Sequence, residues 1–407
     1  MERALPRLAN AIIMITFAKF TNPGIVGIYS WVALAYTFYQ ALAENALRNQ
    51  IVMSLTNERD TRAVRRLGAI AAWFGAAFMA AVLIVLCLRT PHLGSYVIAL
   101  SPMVLVPFIT TAGIVPVGKM QYGHRWKALA RYQLLAAVVG LMVSFSIVIT
   151  LHSSLAMAAH LVVTESLFLL LAHRAARSIR IEQRQGEGRP RGEVAGLSLL
   201  GVLGWTQGQL ERVFIGTFAG TSVLGLYSTA SAMGRSPGDA LSSATANYLR
   251  ASVVKHEDPD RQALDVRRIG LISAGAAVCA VLMMTVIVDF LFRPFLGERW
   301  EPTLVAVPML AVATIPYAVS LCLQMLSIYE QNTRASIVPA LLAICCAPVT
   351  GYVALHSLTG AAAVVVGKEL MVLLVCYGMS RPRGAAAPVL AACALSGLAA
   401  AVVLALS

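Results

Sequence analysis

The chain has 407 residues, 58% of them hydrophobic and 13% charged, with a formal net charge of +13. A soluble domain would be about one quarter charged, so a soluble globular fold is excluded. Nucleic-acid binding is excluded too, because the cations form short clusters between apolar runs and not one continuous basic face.

A membrane span needs about 20 mainly apolar residues. Thirteen such stretches follow one another, at roughly 6–21, 25–47, 67–88, 95–117, 132–151, 155–173, 194–218, 222–249, 269–291, 302–328, 335–355, 358–379 and 385–406. The first has no small-residue cleavage pattern and runs straight into the second, so it reads as a helix and not as a signal peptide. It is short for a span, which fits a chain that starts further upstream, and the count leaves room for twelve or fourteen helices.

The gaps between spans alternate in charge. Of 32 Lys and Arg residues, 25 lie before the first span or after the second, fourth, sixth, eighth, tenth and twelfth. Arg59, Arg62, Arg65 and Arg66 follow the second span, and Lys119, Arg125, Lys127 and Arg131 the fourth. The opposite gaps are tight turns such as Thr21-Asn22-Pro23-Gly24 and His152-Ser153-Ser154. By the positive-inside rule the N-terminus is cytoplasmic and, with thirteen spans, the C-terminus is on the other side. A basic cytoplasmic edge also suits anionic lipid headgroups, so membrane lipids are expected partners.

The longest polar segment, Arg174 to Glu193, divides the chain near its middle, and its Gln183-Arg184-Gln185-Gly186-Glu187-Gly188-Arg189-Pro190 has linker composition. The expected organisation is a first lobe over 1–176, a basic cytoplasmic linker over 177–193, a second lobe over 194–380 and an extra C-terminal helix over 381–407. An internal repeat supports two lobes. Phe20-Thr21-Asn22-Pro23-Gly24-Ile25-Val26-Gly27-Ile28-Tyr29-Ser30 matches Phe218-Ala219-Gly220-Thr221-Ser222-Val223-Leu224-Gly225-Leu226-Tyr227-Ser228 at an offset of 198 residues. Six spans separate the copies, so they have the same orientation, a parallel repeat about an axis along the membrane normal.

Six helices, a basic linker, six more helices and a Gly-x-Tyr turn opening each lobe resemble the polysaccharide-transport branch of the MATE/MOP exporter superfamily, and most of all Wzx-type O-antigen and exopolysaccharide flippases. The resemblance is carried by Ala18-Lys19-Phe20-Thr21-Asn22-Pro23-Gly24-Ile25-Val26-Gly27-Ile28-Tyr29 and by Gln209-Leu210-Glu211-Arg212-Val213-Phe214-Ile215-Gly216-Thr217-Phe218-Ala219-Gly220. Lys19 stands where such proteins usually carry Arg, and Glu211 where they usually carry Asp, so both departures keep the charge. The resemblance implies an all-α integral membrane fold, a V-shaped pair of six-helix lobes about a central cavity, in the bacterial inner membrane. It implies alternating access without covalent chemistry, moving an undecaprenyl-pyrophosphate-linked oligosaccharide from the cytoplasmic to the periplasmic leaflet. A polysaccharide polymerase and other export machinery are the protein partners it suggests.

Charged residues inside spans are costly and usually face a cavity or a partner. The seventh span is the most polar, with Trp205-Thr206-Gln207-Gly208-Gln209-Leu210-Glu211-Arg212. Gln207 and Glu211 are four apart and share a face, whereas the adjacent Glu211 and Arg212 do not face each other. As a cavity wall it would offer Arg212 to a phosphate and Gln207 or Gln209 to sugar hydroxyls. As packing, it would hold an internal or interlobe charge pair. The eighth span holds Arg235, Pro237, Gly238 and Asp239, and Pro-Gly there predicts a kink or break. Arg235 and Asp239 can pair along one face. In the second span Gln40, Glu44 and Arg48 form a stripe of spacing four, although Arg48 alone also reads as a positive-inside anchor. Lys19 near the outer end of the first span either snorkels to the interface or meets a phosphate. Lys368-Glu369 and Glu165 are weaker candidates.

The phosphate-loop pattern Gly-x-x-x-x-Gly-Lys-Ser/Thr does not occur, so ATP is not hydrolysed by that route. No cofactor is expected, and Glu44, Glu211 and Asp239 are candidate proton or sodium sites. The seven cysteines lie in or beside apolar runs without metal spacing and read as packing residues. Two other functions stay open: a multidrug-type ion-coupled antiporter of the same fold, and a membrane-embedded polymerase or ligase, which would be expected to carry a large polar periplasmic loop.

Overall fold

A computed structural model describes residues 4–44, 47, 50–51, 58–179, 192–255, 259–329, 334–380 and 384–406. The expected linker falls mostly on 180–191 and so lies outside the described residues, as does Arg48. Among the described residues every regular element is helical. The helices are α1 (Ala4–Phe20), α2 (Pro23–Tyr39), α3 (Glu58–Arg89), α4 (Val106–Tyr122), α5 (Trp126–Leu151), α6 (Leu155–Ala176) and α7 (Gly192–Phe218). They continue as α8 (Thr221–Lys255), α9 (Pro259–Ile287), α10 (Glu301–Val312), α11 (Thr314–Tyr329), α12 (Arg334–Ala354), α13 (Leu358–Ser380) and α14 (Ala386–Leu406).

Among the described residues ten stretches are long and apolar enough to cross a membrane, with α10 and most of α11 falling in one of them, Glu298–Gln324. The chain is a multi-pass membrane protein. The three other expected spans are helices at the expected places but fall outside these ten. The apolar run of α1, Ala11–Phe20, is too short. The other two are α7, which holds Glu211 and Arg212, and α8, which holds Arg235 and Asp239. Many large apolar side chains point outward, among them Ile70, Trp73, Met142, Leu282, Leu390 and Leu398. In water such a surface would aggregate; in a bilayer the lipid tails solvate it.

The chain divides into two compact units. One is formed by residues 1–9 and Ile28–Trp205, the other by Asn10–Gly27 and Thr206–Ser407. In the first, α4, α5 and α6 meet over Val117, Met120, Leu129, Ala136, Phe168 and Ala172. Ser144 Oγ on α5 donates to the Ala156 carbonyl on α6 at 2.9 Å. The first half of α7 belongs here. Trp205 Nε1 donates to Thr37 Oγ1 at 3.0 Å, and its ring meets Phe38 edge-on at 5.0 Å.

In the second unit α8 is the central rod, packed on α9, α10 and α11. Of the kink or break expected at Pro237-Gly238, a break does not occur: α8 is continuous from Thr221 to Lys255 with Pro237 inside it. Gly234 lies against the Val307 carbonyl of α10 and Gly238 against Thr314 of α11, where any side chain would collide. This is the small-xxx-small spacing that lets membrane helices approach closely.

The repeat also has a structural meaning. A Cβ on Gly27 would strike the Thr221 carbonyl, and one on Gly225 would strike the Pro23 carbonyl. Gly27 and Gly225 are equivalent at the offset of 198, and so are Pro23 and Thr221. The starts of α2 and α8 therefore cross by a reciprocal contact.

Candidate functional site

The intramembrane charges of the second unit converge. Tyr227, Ser231, Arg235 and Asp239 recur every four residues on α8 and so share one face. Glu211 comes from α7, and Lys368 with Glu369 from α13. Lys368 Nζ lies 2.8 Å from Glu211 Oε2 and 3.3 Å from Glu369 Oε1. Arg235 closes the circuit, with Nη2 at 3.3 Å from Glu369 Oε1 and Nη1 at 3.8 Å from Glu211 Oε1. The four side chains alternate in sign around a ring. Tyr227 donates its hydroxyl to Glu211 Oε1 at 2.7 Å, and the Arg235 guanidinium lies over the Tyr317 ring at 5.4 Å.

Burial explains the ring. The side chains of Lys368, Glu211 and Glu369 are 2%, 3% and 4% exposed. An isolated charge there would cost several kcal/mol, and alternating neighbours with added hydrogen bonds offset that cost. Two further charges lie at its edge. Asp239 Oδ1 is 3.9 Å from Arg235 Nε, and with 25% of its side chain exposed it is the most accessible carboxylate of the cluster. Arg212 donates from Nη2 to Ser231 Oγ at 2.8 Å, on the α8 face that also carries the partners of Glu211, Tyr227 and Arg235. With Arg212 and Asp239 the cluster holds three cations and three carboxylates. Two of its buried guanidinium nitrogens, Arg212 Nε and Arg235 Nε, have no hydrogen-bond partner among the described residues.

The structure thus brings Glu211, Arg212, Arg235, Asp239 and Lys368 together. Arg235 and Asp239 approach as their spacing suggested, yet Arg235 is nearer to Glu369. Gln207 and Gln209 precede Glu211 on α7 and are half-buried. Lys19 is exposed at the end of α1, its Nζ 5.4 Å from the centre of the Phe295 ring. Gln40 belongs to the other unit, where its Nε2 donates to the Tyr36 hydroxyl at 2.7 Å. Residues Gln40–Glu44 form a π turn after α2. Of the expected stripe of spacing four, Arg48 lies outside the described residues, as does the side chain of Glu44. Tyr227, Ser231 and Tyr317 were not singled out for a site in the sequence. The spacing 227-231-235-239 could have shown the first two; Tyr317 has no sequence signal. Among the described residues, no group of three or more His, Cys, Asp or Glu side chains is arranged to hold a metal ion.

Residues 16–305 match the model of a family described as "Polysaccharide biosynthesis protein". The chain belongs to this family. No curated protein sequence matches it. Among solved structures it is similar to "Lipid II flippase MurJ, inward closed conformation", at 9% identity and a TM-score of 0.68, over 98% of this chain and 90% of that one. It is also similar to an inward-facing multidrug resistance MATE family transporter of the MOP superfamily, at 14% identity and a TM-score of 0.62, over 98% and 96% of the two chains. An outward-facing MATE transporter aligns at 14% identity and a TM-score of 0.55, over 97% of each chain. At these identities the likeness is one of fold: this member of the polysaccharide biosynthesis family has a MurJ- and MATE-like helical fold.

Proposed function

We propose that the chain is a flippase that carries an undecaprenyl-pyrophosphate-linked oligosaccharide, an O-antigen, capsule or exopolysaccharide repeat unit, across the bacterial inner membrane by alternating access. The observation that carries this reading is the pairing of a polysaccharide-biosynthesis family with a fold shared with a lipid II flippase. Glycan assembly on a lipid carrier needs its pyrophosphate-sugar moved between leaflets, and that fold accommodates such movement in its relative.

The charge cluster supports the reading chemically. A pyrophosphate crossing low-dielectric space needs its hydration replaced. Arg212 and Arg235 each hold a buried guanidinium N–H without an acceptor, and a phosphate oxygen is a strong acceptor for such a donor. The ring of Glu211, Lys368, Glu369 and Arg235 would keep these groups in place at little net charge. Energy would come from a proton or sodium gradient through the acidic groups, or from consumption of the product.

The multidrug antiporter reading shares the fold but not the family. The two separate in a deletion strain. Loss of the protein is expected to trap lipid-linked glycan in the inner leaflet and to remove the surface polysaccharide. Normal surface polysaccharide with raised drug sensitivity would replace the flippase reading by the antiporter.

A further inference from the structure

The first unit contains a cavity of about 500 Å³ that the transport reading does not use. It lies between the start of α3 and the ends of α4 and α6. Arg65 lines it from α3, Lys119 from α4, and His173 and Arg177 from α6 and the residue beyond it. Among the described residues no carboxylate lines it. Arg177 Nη2 is 3.4 Å from His173 Nε2, so those two share one corner. Between and behind the cations the walls are apolar, from Ala69, Ala72, Phe108 and Ile114. The Thr111 hydroxyl in the wall is already engaged, by Tyr39 at 2.7 Å and by the Pro107 carbonyl at 2.6 Å. Phe108 packs edge-on at 4.9 Å against Trp73, whose ring is 70% exposed on the face of α3 that lipid would cover.

Cations at helix ends commonly snorkel outward into headgroups. Here three helices set theirs around one cavity, with Arg65, His173 and Arg177 exposed and Lys119 half-buried, and like charges repel there until an anion enters. Basic pockets between membrane helices on the cytoplasmic side suit lipid headgroups, and the clustering of Lys and Arg assigns this end to the cytoplasm. The volume lies within the roughly 300–1,000 Å³ of small-ligand sites. A sugar would need amides and free hydroxyls, which the walls do not offer; methylenes and a phosphate need only what is present.

We propose that this cavity binds an anionic phospholipid of the cytoplasmic leaflet, its phosphate among Arg65, Lys119 and Arg177 and the start of its chains against Phe108 and the alanines. The site goes beyond the transport reading and does not depend on which cargo is moved.

Native mass spectrometry of the full chain in detergent, titrated with phosphatidylglycerol or phosphatidylcholine of the same chains, tests it. The wild type is expected to retain one phosphatidylglycerol about tenfold more tightly than phosphatidylcholine. Lys119→Gln combined with Arg177→Gln should remove the preference. Ala112→Trp, which fills the cavity and keeps every charge, should remove it too. Arg334→Gln changes an exposed cation on α12 and should leave binding intact. Undiminished preference in the double variant overturns the proposal. So does its persistence in Ala112→Trp, which would reduce the effect to diffuse surface attraction. Displacement by equimolar polyprenyl pyrophosphate would make the cavity a cargo site and overturn the phospholipid assignment. Export is not measured here, so failure of this proposal and failure of the flippase reading remain distinguishable.

Discussion

Lys368 is held between two carboxylates, Glu211 and Glu369, with almost no access to solvent. Replacing it by Met leaves those carboxylates with Arg235 alone to balance them. Breaking a buried ion pair from one side costs about 3–5 kcal/mol, so Lys368→Met should lower the melting temperature in detergent markedly. Adding Glu211→Gln removes the excess negative charge and should recover most of the loss. A single variant as stable as wild type would show that the ring is not desolvated. Arg212 is a different case. Among the described residues its hydrogen bond is to Ser231, and a hydrogen bond to a charged group is worth about 1.5–3 kcal/mol. Arg212→Ala should therefore reach the membrane in near-normal amount and still reduce glycan export severely. Arg235→Ala should lower both, because it opens the ring. Wild-type export with Arg212→Ala would take that residue out of the phosphate path.

At the scale of elements, the crossing of α2 and α8 is the most demanding contact. Gly225 has no room for a side chain beside the Pro23 carbonyl, nor Gly27 beside that of Thr221. Overpacking costs typically 1–3 kcal/mol, and here it would also push two helix starts apart. Gly225→Leu is expected to insert but to lose export, whereas Gly275→Leu on α9, where a Cβ would meet nothing within 4 Å, should be tolerated. Full export by Gly225→Leu would refute a role for the crossing. This contact was half legible in the sequence: the repeat placed Gly27 and Gly225 at equivalent positions, but only packing shows that they meet reciprocally. The helices themselves were legible because a span must be a long apolar run, and among the described residues each of the thirteen stretches falls on helix. Local signals failed where neighbours decide. Pro237-Gly238 suggested a break, yet Gly234 and Gly238 serve close packing on α10 and α11. The ring was legible only in part. Glu211, Arg235 and Lys368 stand out as charges in apolar runs, but their pairing joins residues up to 157 positions apart, which no local spacing encodes.

At the scale of the whole chain, the repeat is kept in backbone and broken in charge. Shifted by 198 residues, Tyr227 corresponds to Tyr29, but Glu211, Arg212, Arg235 and Asp239 correspond to Ile13, Met14, Thr37 and Ala41. Buried Tyr227 binds a carboxylate, while Tyr29, also buried, has an apolar residue at the equivalent place. The two copies therefore cannot share one electrostatic task, and any coupling to an ion gradient through this cluster belongs to the second unit. Within it, Glu211 is committed to Lys368 and Tyr227, and Glu369 to Lys368 and Arg235. Asp239, paired with Arg235 at 3.9 Å, is the most exposed acid of the cluster. It is the group a proton or sodium ion could reach without dismantling the ring. Asp239→Asn is accordingly expected to fold normally and to transport glycan at a rate that no longer responds to collapse of the proton and sodium gradients. The wild-type rate should fall when the coupling gradient is collapsed. Wild-type transport indifferent to both gradients would remove ion coupling from the mechanism and leave product consumption as the driving force.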